Sequence, residues 1–179
     1  MLTALNSQLQ QVKGTIKNDG TVYSCGVNDY GQLGTTEAGP RNTFTQINIQ
    51  DVKNVACGNA HMLVLKNDGT VWSCGRNNKG QLGLNTTGTG VNGTLTKVDI
   101  TNVVDVYSNG NYSYLIKNDG TVWSCGANAY GQLGHSDYTD RHIFTELTYF
   151  ENVKEVACGL NSVMILKHNG DIFTTGYNA

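Results

Sequence analysis

Glycine returns through this chain at a fixed distance. Gly20, Gly69, Gly120 and Gly170 each close an Asn-Asp-Gly or His-Asn-Gly turn, 49, 51 and 50 residues apart, and Gly26, Gly75, Gly126 and Gly176 follow at the same three intervals. The run K-N-D-G-T-V-W-S-C-G-R-N-N-K-G-Q-L-G at residues 66–83 comes back nearly unchanged at 117–134, earlier at 17–34, and in worn form from Lys167 onward. A period near fifty holding several short apolar runs is the pattern of a propeller or similar array, whose units bury their faces only against copies of themselves. Helical repeats fit poorly, because the runs are short, β-branched and broken by Gly and Asn.

Each unit reads as four strands. In the best-formed copy they are expected at residues 43–48, 52–57, 61–66 and 70–75, with Asn67-Asp68-Gly69 as a tight hairpin, since Asp-Gly tolerates the positive φ such turns demand. In Thr70-Val71-Trp72-Ser73 successive side chains alternate between faces, so Val71 and Trp72 point opposite ways. Both faces can be apolar when a blade lies between two neighbours. The expected fold class is therefore all-β, a β-propeller of four-stranded antiparallel blades. The chain reads as one partial propeller, residues 1–179, with a half blade at 1–34 and repeat blades at 35–83, 84–134 and 135–179.

The pattern G-x-V-[YW]-S-x-G-x-N-x-x-G-Q-L-G, at residues 20–34, 69–83 and 120–134, resembles the regulator of chromosome condensation repeat, as does V-A-C-G-x-x-H at residues 55–61. That resemblance runs from about Lys13 onward and implies a seven-bladed ring, of which about three and a half blades are present; it says little about function. Two departures stand out. Where the family usually has Trp before the strand-ending Gly, this chain has Cys25, Cys74, Cys125 and Thr175, so the light absorption that some members build from clustered Trp is not expected. The family His is kept only at His61; Ser162 and, with a one-residue gap, Tyr112 or Ser113 stand in its place.

At the start, residues 6–14 lack the Cys-Gly and apolar run of 57–63, so the first unit offers only strands at 15–17 and 21–26; at the other end the chain stops inside the repeated motif. Two strands and three blades of four make fourteen, half of twenty-eight, yet two such chains would not supply the missing strand types of each other's half blade. A segment of a longer propeller is expected over a natural half-ring. Its open blade faces, bearing Tyr23 or Val22 at one end and Ile172 or Phe173 at the other, are expected surfaces for self-association.

Charge sets further bounds. A net charge of −2 with 15% charged residues carries no electrostatic footprint for nucleic acid. No apolar run approaches the length of a membrane span, and residues 1–12 show no secretory signal, which leaves the compartment open. The five cysteines fall at two repeat positions on strands separated by a third, about 9.6 Å apart, too far for a disulfide. Without C-x-x-C no zinc site is expected, and the thiols read as small core fillers. The Gly-Gln-Leu-Gly loops lack the Lys and the following helix of a phosphate-binding loop, so their Leu is expected to plug the gap between blades. No cofactor is expected.

Function is expected on one rim, in the variable segments 35–42, 84–93 and 135–142 and the turns at 58–60, 110–113 and 159–162. The candidate partner-binding residues are Tyr30, Arg41, Asn59, Asn78, Asn111, Tyr112, Tyr130, Tyr138, Arg141 and His142. Two His and two Asp in residues 135–142 have the chemistry of metal ligands, but nothing equivalent recurs in the other loops, and a solvated polar loop is the expectation. No Ser/His/Asp arrangement with a nucleophile elbow is present, so no enzyme is expected. The leading reading is a module whose rim binds another protein. A glycan-binding propeller is one alternative, although Lys79 breaks the series of Tyr30 and Tyr130; a regulator resembling GTPase exchange factors is another, although no residues match the contact loops of such members.

Overall fold

The computed structural model describes residues 13–35, 37 and 39–178. Among them are fourteen strands in four antiparallel sheets. The first sheet holds β1 (Lys13–Ile16), β2 (Val22–Gly26) and β3 (Arg41–Ile47); the second, β4 (Val52–Cys57), β5 (His61–Lys66), β6 (Val71–Gly75) and β7 (Thr96–Lys97). The third holds β8 (Val103–Asn109), β9 (Tyr112–Lys117), β10 (Val122–Gly126) and β11 (Arg141–Glu146), and the fourth β12 (Val153–Cys158), β13 (Ser162–Lys167) and β14 (Ile172–Gly176). Each sheet is a blade of a partial β-propeller. Residues 1–12, where the sequence places no first strands, lie outside the described residues.

One grouping differs from expectation. The segment near 43–48, read as the first strand of its unit, pairs backward: β3 lies on β2 in the register Val22↔Ile47, Tyr23↔Gln46 and Ser24↔Thr45. It is the outer strand of the preceding blade, and the next blade begins at Val52. The reason is the corner between them. Asp51, Asn102 and Asn152 sit at φ of 58°, 61° and 57°, a left-handed bend that Asn and Asp tolerate, and their carbonyls accept the amides of Asn67, Asn118 and His168 in the blade being entered.

The alternation along β5 shows how the blades stack. Met62, Leu63, Val64 and Leu65 are all wholly buried. Met62 and Val64 join Val22, Leu33 and Ile47 in the seam with the first sheet, while Leu63 and Leu65 join Val106, Leu115 and Phe144 in the seam with the third. Val71 and Trp72 likewise face opposite seams. A third cluster, with Tyr114, Leu133, Leu147, Val163 and Ile165, closes the seam between the third and fourth sheets.

The Asn-x-x-Gly-Gln-Leu-Gly loop is a closed unit built the same way three times. Leu33, Leu82 and Leu133 are wholly buried plugs, and their carbonyls accept the hydroxyls of Ser24, Ser73 and Ser124 at 2.7, 3.0 and 3.0 Å. Their amides donate to Asn28, Asn77 and Asn128 at 3.0, 3.1 and 2.9 Å. Cys74 and Cys125 are buried with their thiols toward the Gln32 and Gln81 carbonyls, while Cys25, Cys57 and Cys158 are half-buried. Burial of their sulfurs pushes the Cys57 and Cys158 thiols up to about 12.

Gly80 shows why the loop needs its first glycine. With φ of +80°, a Cβ there would lie 2.5 Å from His142 Cα and 2.6 Å from the Arg141 carbonyl. Gly80→Ala is expected to lower the unfolding free energy by about 2 kcal/mol, read from urea denaturation. Gly131→Ala, where the nearest atom to the new methyl is 3.6 Å away on Tyr138, is expected to cost only the left-handed conformation, about 1 kcal/mol.

Candidate protein-binding rim

The rim is organised by the strand-ending glycines. Gly75 pairs with His61, Gly126 with Tyr112 and Gly176 with Ser162. This register places Tyr112, not Ser113, at the position of His61. Both side chains cross a seam: the His61 ring reaches Ser108 and Ser113, and the Tyr112 hydroxyl donates to the Gly159 carbonyl at 2.5 Å and lies 3.0 Å from that of Ser162. Tyr112 is wholly buried and packs edge-on to Tyr114 at 6.1 Å, so it belongs to the core and not to the rim where the sequence placed it. Its neighbours Asn109-Gly110-Asn111 look like an exposed turn, but the ring points inward.

Beyond the glycines, each blade meets the next through one pair of rim residues. The Arg76 guanidinium lies 5.0 Å from the centre of the Tyr30 ring, and the Tyr30 carbonyl accepts the Asn92 amide at 3.1 Å. Lys79 pairs with Asp140 at 3.0 Å. Tyr130 meets Tyr177 edge-on at 5.1 Å. Tyr30, Lys79 and Tyr130 hold one repeat position, and the contact chemistry there changes from cation–π to ion pair to aromatic pair.

The remaining candidates take these places. Arg41 and Arg141 open β3 and β11 and pair with Glu37 and Asp137 respectively; the latter contact is 2.7 Å, and Arg141 also donates to the Thr139 carbonyl at 3.2 Å. Asn59 is half-buried and its amide donates to the Gly110 carbonyl at 2.9 Å; the Asn111 carbonyl accepts the Ala127 amide at 2.9 Å. Asn78 accepts from the Gln81 amide at 3.4 Å. His142 is exposed, its carbonyl accepting the Asn85 amide at 3.0 Å. Tyr138 is 75% exposed and Tyr130 47%. The structure thus gathers Tyr130, Tyr138 and Tyr177 at one end of the rim and engages Tyr30 beneath Arg76 near the other. Sequence reasoning missed Arg76, Asp140 and Tyr177 as partners: Arg76 and Tyr177 each follow the next unit's strand-ending glycine, whereas Asp140 immediately precedes β11.

In the His-Asp loop the carboxylates organise backbone. Asp137 accepts from the Asn128 side-chain amide at 3.0 Å and the Thr139 amide at 2.9 Å; Asp140 accepts the Asn128 amide at 2.8 Å. The Thr139 amide and then the Arg141 guanidinium hold the Asp137 carboxyl below the usual range. Burial, followed by Arg141, lowers His135, whose Nε2 lies 3.0 Å from the Ser124 hydroxyl. Among the described residues no group of three or more His, Cys, Asp or Glu is placed to hold a metal ion.

The regulator of chromosome condensation (RCC1) repeat model matches residues 19–65, 68–113 and 119–166, and a second model of the same repeat matches 52–81 and 103–132. The chain belongs to the RCC1 repeat family. It is 31% identical over 165 residues to the ultraviolet-B receptor UVR8 of Arabidopsis thaliana, covering 88% of this chain and 37% of that protein. It is 39% identical over 70 residues to the RCC2 homolog of Danio rerio, covering 37% of this chain and 14% of that one. Human WBSCR16 superimposes with a TM-score of 0.80 at 28% identity over 93% of this chain and 45% of that structure. Prp20p of Saccharomyces cerevisiae, studied for its binding to Gsp1p and histones, shares the fold with a TM-score of 0.80 at 19% identity over 93% of this chain and 43% of that structure. The chain thus spans less than half the length of these relatives.

Proposed function

We propose that this RCC1-repeat propeller is a non-enzymatic module that captures another protein on its rim. One observation carries the reading: the residues that build each blade repeat, while the residues that face outward between blades, Tyr30–Arg76, Lys79–Asp140 and Tyr130–Tyr177, change chemistry at each step. A surface of that kind presents a graded series of cation, acid and ring to a single extended partner, with the exposed Tyr138 as an amphipathic anchor. Membership of a family with protein-binding members supports it. Arg76 over the Tyr30 ring and Lys79 at the next repeat position count against the alternative of repeat-equivalent sugar pockets.

Exchange of residues 86–91 for a Gly-Ser loop of equal length, together with Tyr138→Ser, tests the reading by affinity capture and mass spectrometry and leaves the Asp137, Asp140 and Asn92 contacts in place. Proteins captured by the native chain are expected to fall at least about tenfold in the loop variant while the melting temperature holds within a few degrees. Unchanged capture removes the rim.

A further inference from the structure

The chain holds three arginines, and two of them are balanced. Arg41 pairs with Glu37 and Arg141 with Asp137, each through a terminal nitrogen of its guanidinium. Lys79, in the next seam, pairs with Asp140. Arg76 has no carboxylate within ion-pair distance among the described residues, which include every Asp and Glu of the chain. Even Asp29, exposed and next to Tyr30 in the sequence, forms no ion pair with it.

The missing acid has a cause in the repeat. Asp140, which balances Lys79, lies 61 residues after it. The residue at the same offset from Tyr30 is Val91, apolar and 68% exposed. The strand registers agree: the Gly75 amide donates to the Asn92 carbonyl at 2.8 Å where Gly126 pairs with Arg141, so Val91 stands where the third blade has Asp140. The Arg76 cation is nevertheless held in place. Its guanidinium lies 5.0 Å from the centre of the Tyr30 ring, and its Nε is buried without a hydrogen-bond partner. Arg41 has the same buried, unpartnered Nε and spends a terminal nitrogen on Glu37. In Arg76 the corresponding fork meets no acid. A planar guanidinium fixed on a ring has already given up much of its freedom, so a two-oxygen acceptor meets it at low entropic cost.

We infer that Arg76 is a receptor for a carboxylate: an Asp or Glu of the partner protein pairs with its terminal nitrogens, and an apolar neighbour of that acid packs on Val91. The inference rests on the rim reading and names the chemistry of the partner, an acidic extended segment. One guanidinium beside an apolar side chain suits the two acceptors of a carboxylate. The greater charge of a phosphate calls for further cations, and Arg41, Lys79 and Arg141 are already paired.

Peptides selected from a random display library on the native chain, then synthesised, test it. They are expected to carry Asp or Glu next to an apolar residue, and to bind Arg76→Gln at least about tenfold more weakly, the loss of one charge-assisted pair. Arg76→Lys keeps the charge without the fork and is expected to recover only part of that affinity. Both variants are expected to melt within a few degrees of the native chain, since Arg76 is half-buried and makes no ion pair. In a nitrogen-15 spectrum of the native chain, the acidic peptide is expected to shift the Nε–H signal of Arg76 and leave those of Arg41 and Arg141 in place. Selected peptides without acidic residues, no selectable peptide, or equal binding by the native and Arg76→Gln chains overturn the inference. So does displacement of the peptide by inorganic phosphate at concentrations where acetate has no effect. If the loop exchange abolishes capture while Arg76→Gln binds as the native chain does, the rim stands and the carboxylate receptor falls.

Discussion

Phe144→Ala is expected to lower the unfolding free energy by about 3–5 kcal/mol, the range for truncating a buried aromatic whose site cannot collapse. Phe144 is only 6% exposed, packs in the cluster between the second and third sheets, and its ring abuts Gly83. The wall it meets there is backbone, which cannot move in to refill the space. Phe44 occupies the same position in β3 but is 52% exposed, with no Gly-Gln-Leu-Gly loop beside it. Phe44→Ala is therefore expected to cost under about 1 kcal/mol. Urea denaturation of the two variants side by side isolates the seam from the strand, because sequence, turn and register around the two residues are nearly the same. Equal losses would mean that Phe144 acts within its own sheet.

The other large effect is expected with acid. His61 is wholly buried, its Nε2 2.9 Å from the Ser113 hydroxyl and 2.8 Å from that of Ser108. Those hydroxyls donate onward to the Gln81 and Tyr112 carbonyls at 2.9 and 3.1 Å, which makes Nε2 the N–H donor and leaves Nδ1 a bare acceptor, buried and unpaired. Nδ1 faces Gly58 so closely that a Cβ there would lie 2.5 Å from it. A proton on Nδ1 would be a buried cation without a partner, and burial holds the imidazole at about 3. The unfolded chain protonates this His near its ordinary value of about 6.5. The stabilisation is thus complete above about pH 6.5 and is lost as pH falls from there toward 3, at up to about 1.4 kcal/mol per pH unit. Asp68, Asp119 and Asp137, held low by hydrogen bonds, add their losses only below about pH 4. Between pH 7 and 4.5 the native chain is expected to lose stability, and His61→Gln to keep only the smaller slope left by His135, whose imidazole burial also holds below its ordinary value. Parallel slopes in the two proteins would assign the acid sensitivity elsewhere.

The repeat was legible because its signals are local. Asn67-Asp68-Gly69 forms the turn it encodes, and the alternation in Val71-Trp72 separates two seams. The partner of 41–47 was not, because Phe44 and Ile47 suit a strand on either side; the choice is made by the left-handed corner at Asp51, which local pattern does not weigh. Tyr112 was misread for a similar reason. Its flanking Asn and Gly signal an open turn, whereas the register that drives its ring into the next seam comes from a strand ten residues on. The rim pairs join residues 46, 61 and 47 positions apart, beyond the reach of any window on the sequence, and the Asp137 and Asp140 carboxylates were visible as chemistry but not as the braces of their own loop.

Each of the three apolar clusters is closed between two adjacent sheets and shares no buried residue with the others. Copy number is thereby uncoupled from internal fit. A gene that gains or drops one fifty-residue unit creates or deletes a whole seam and leaves every other one as it was, so length can drift by recombination while shape stays legible and only the outward-facing residues must be relearned.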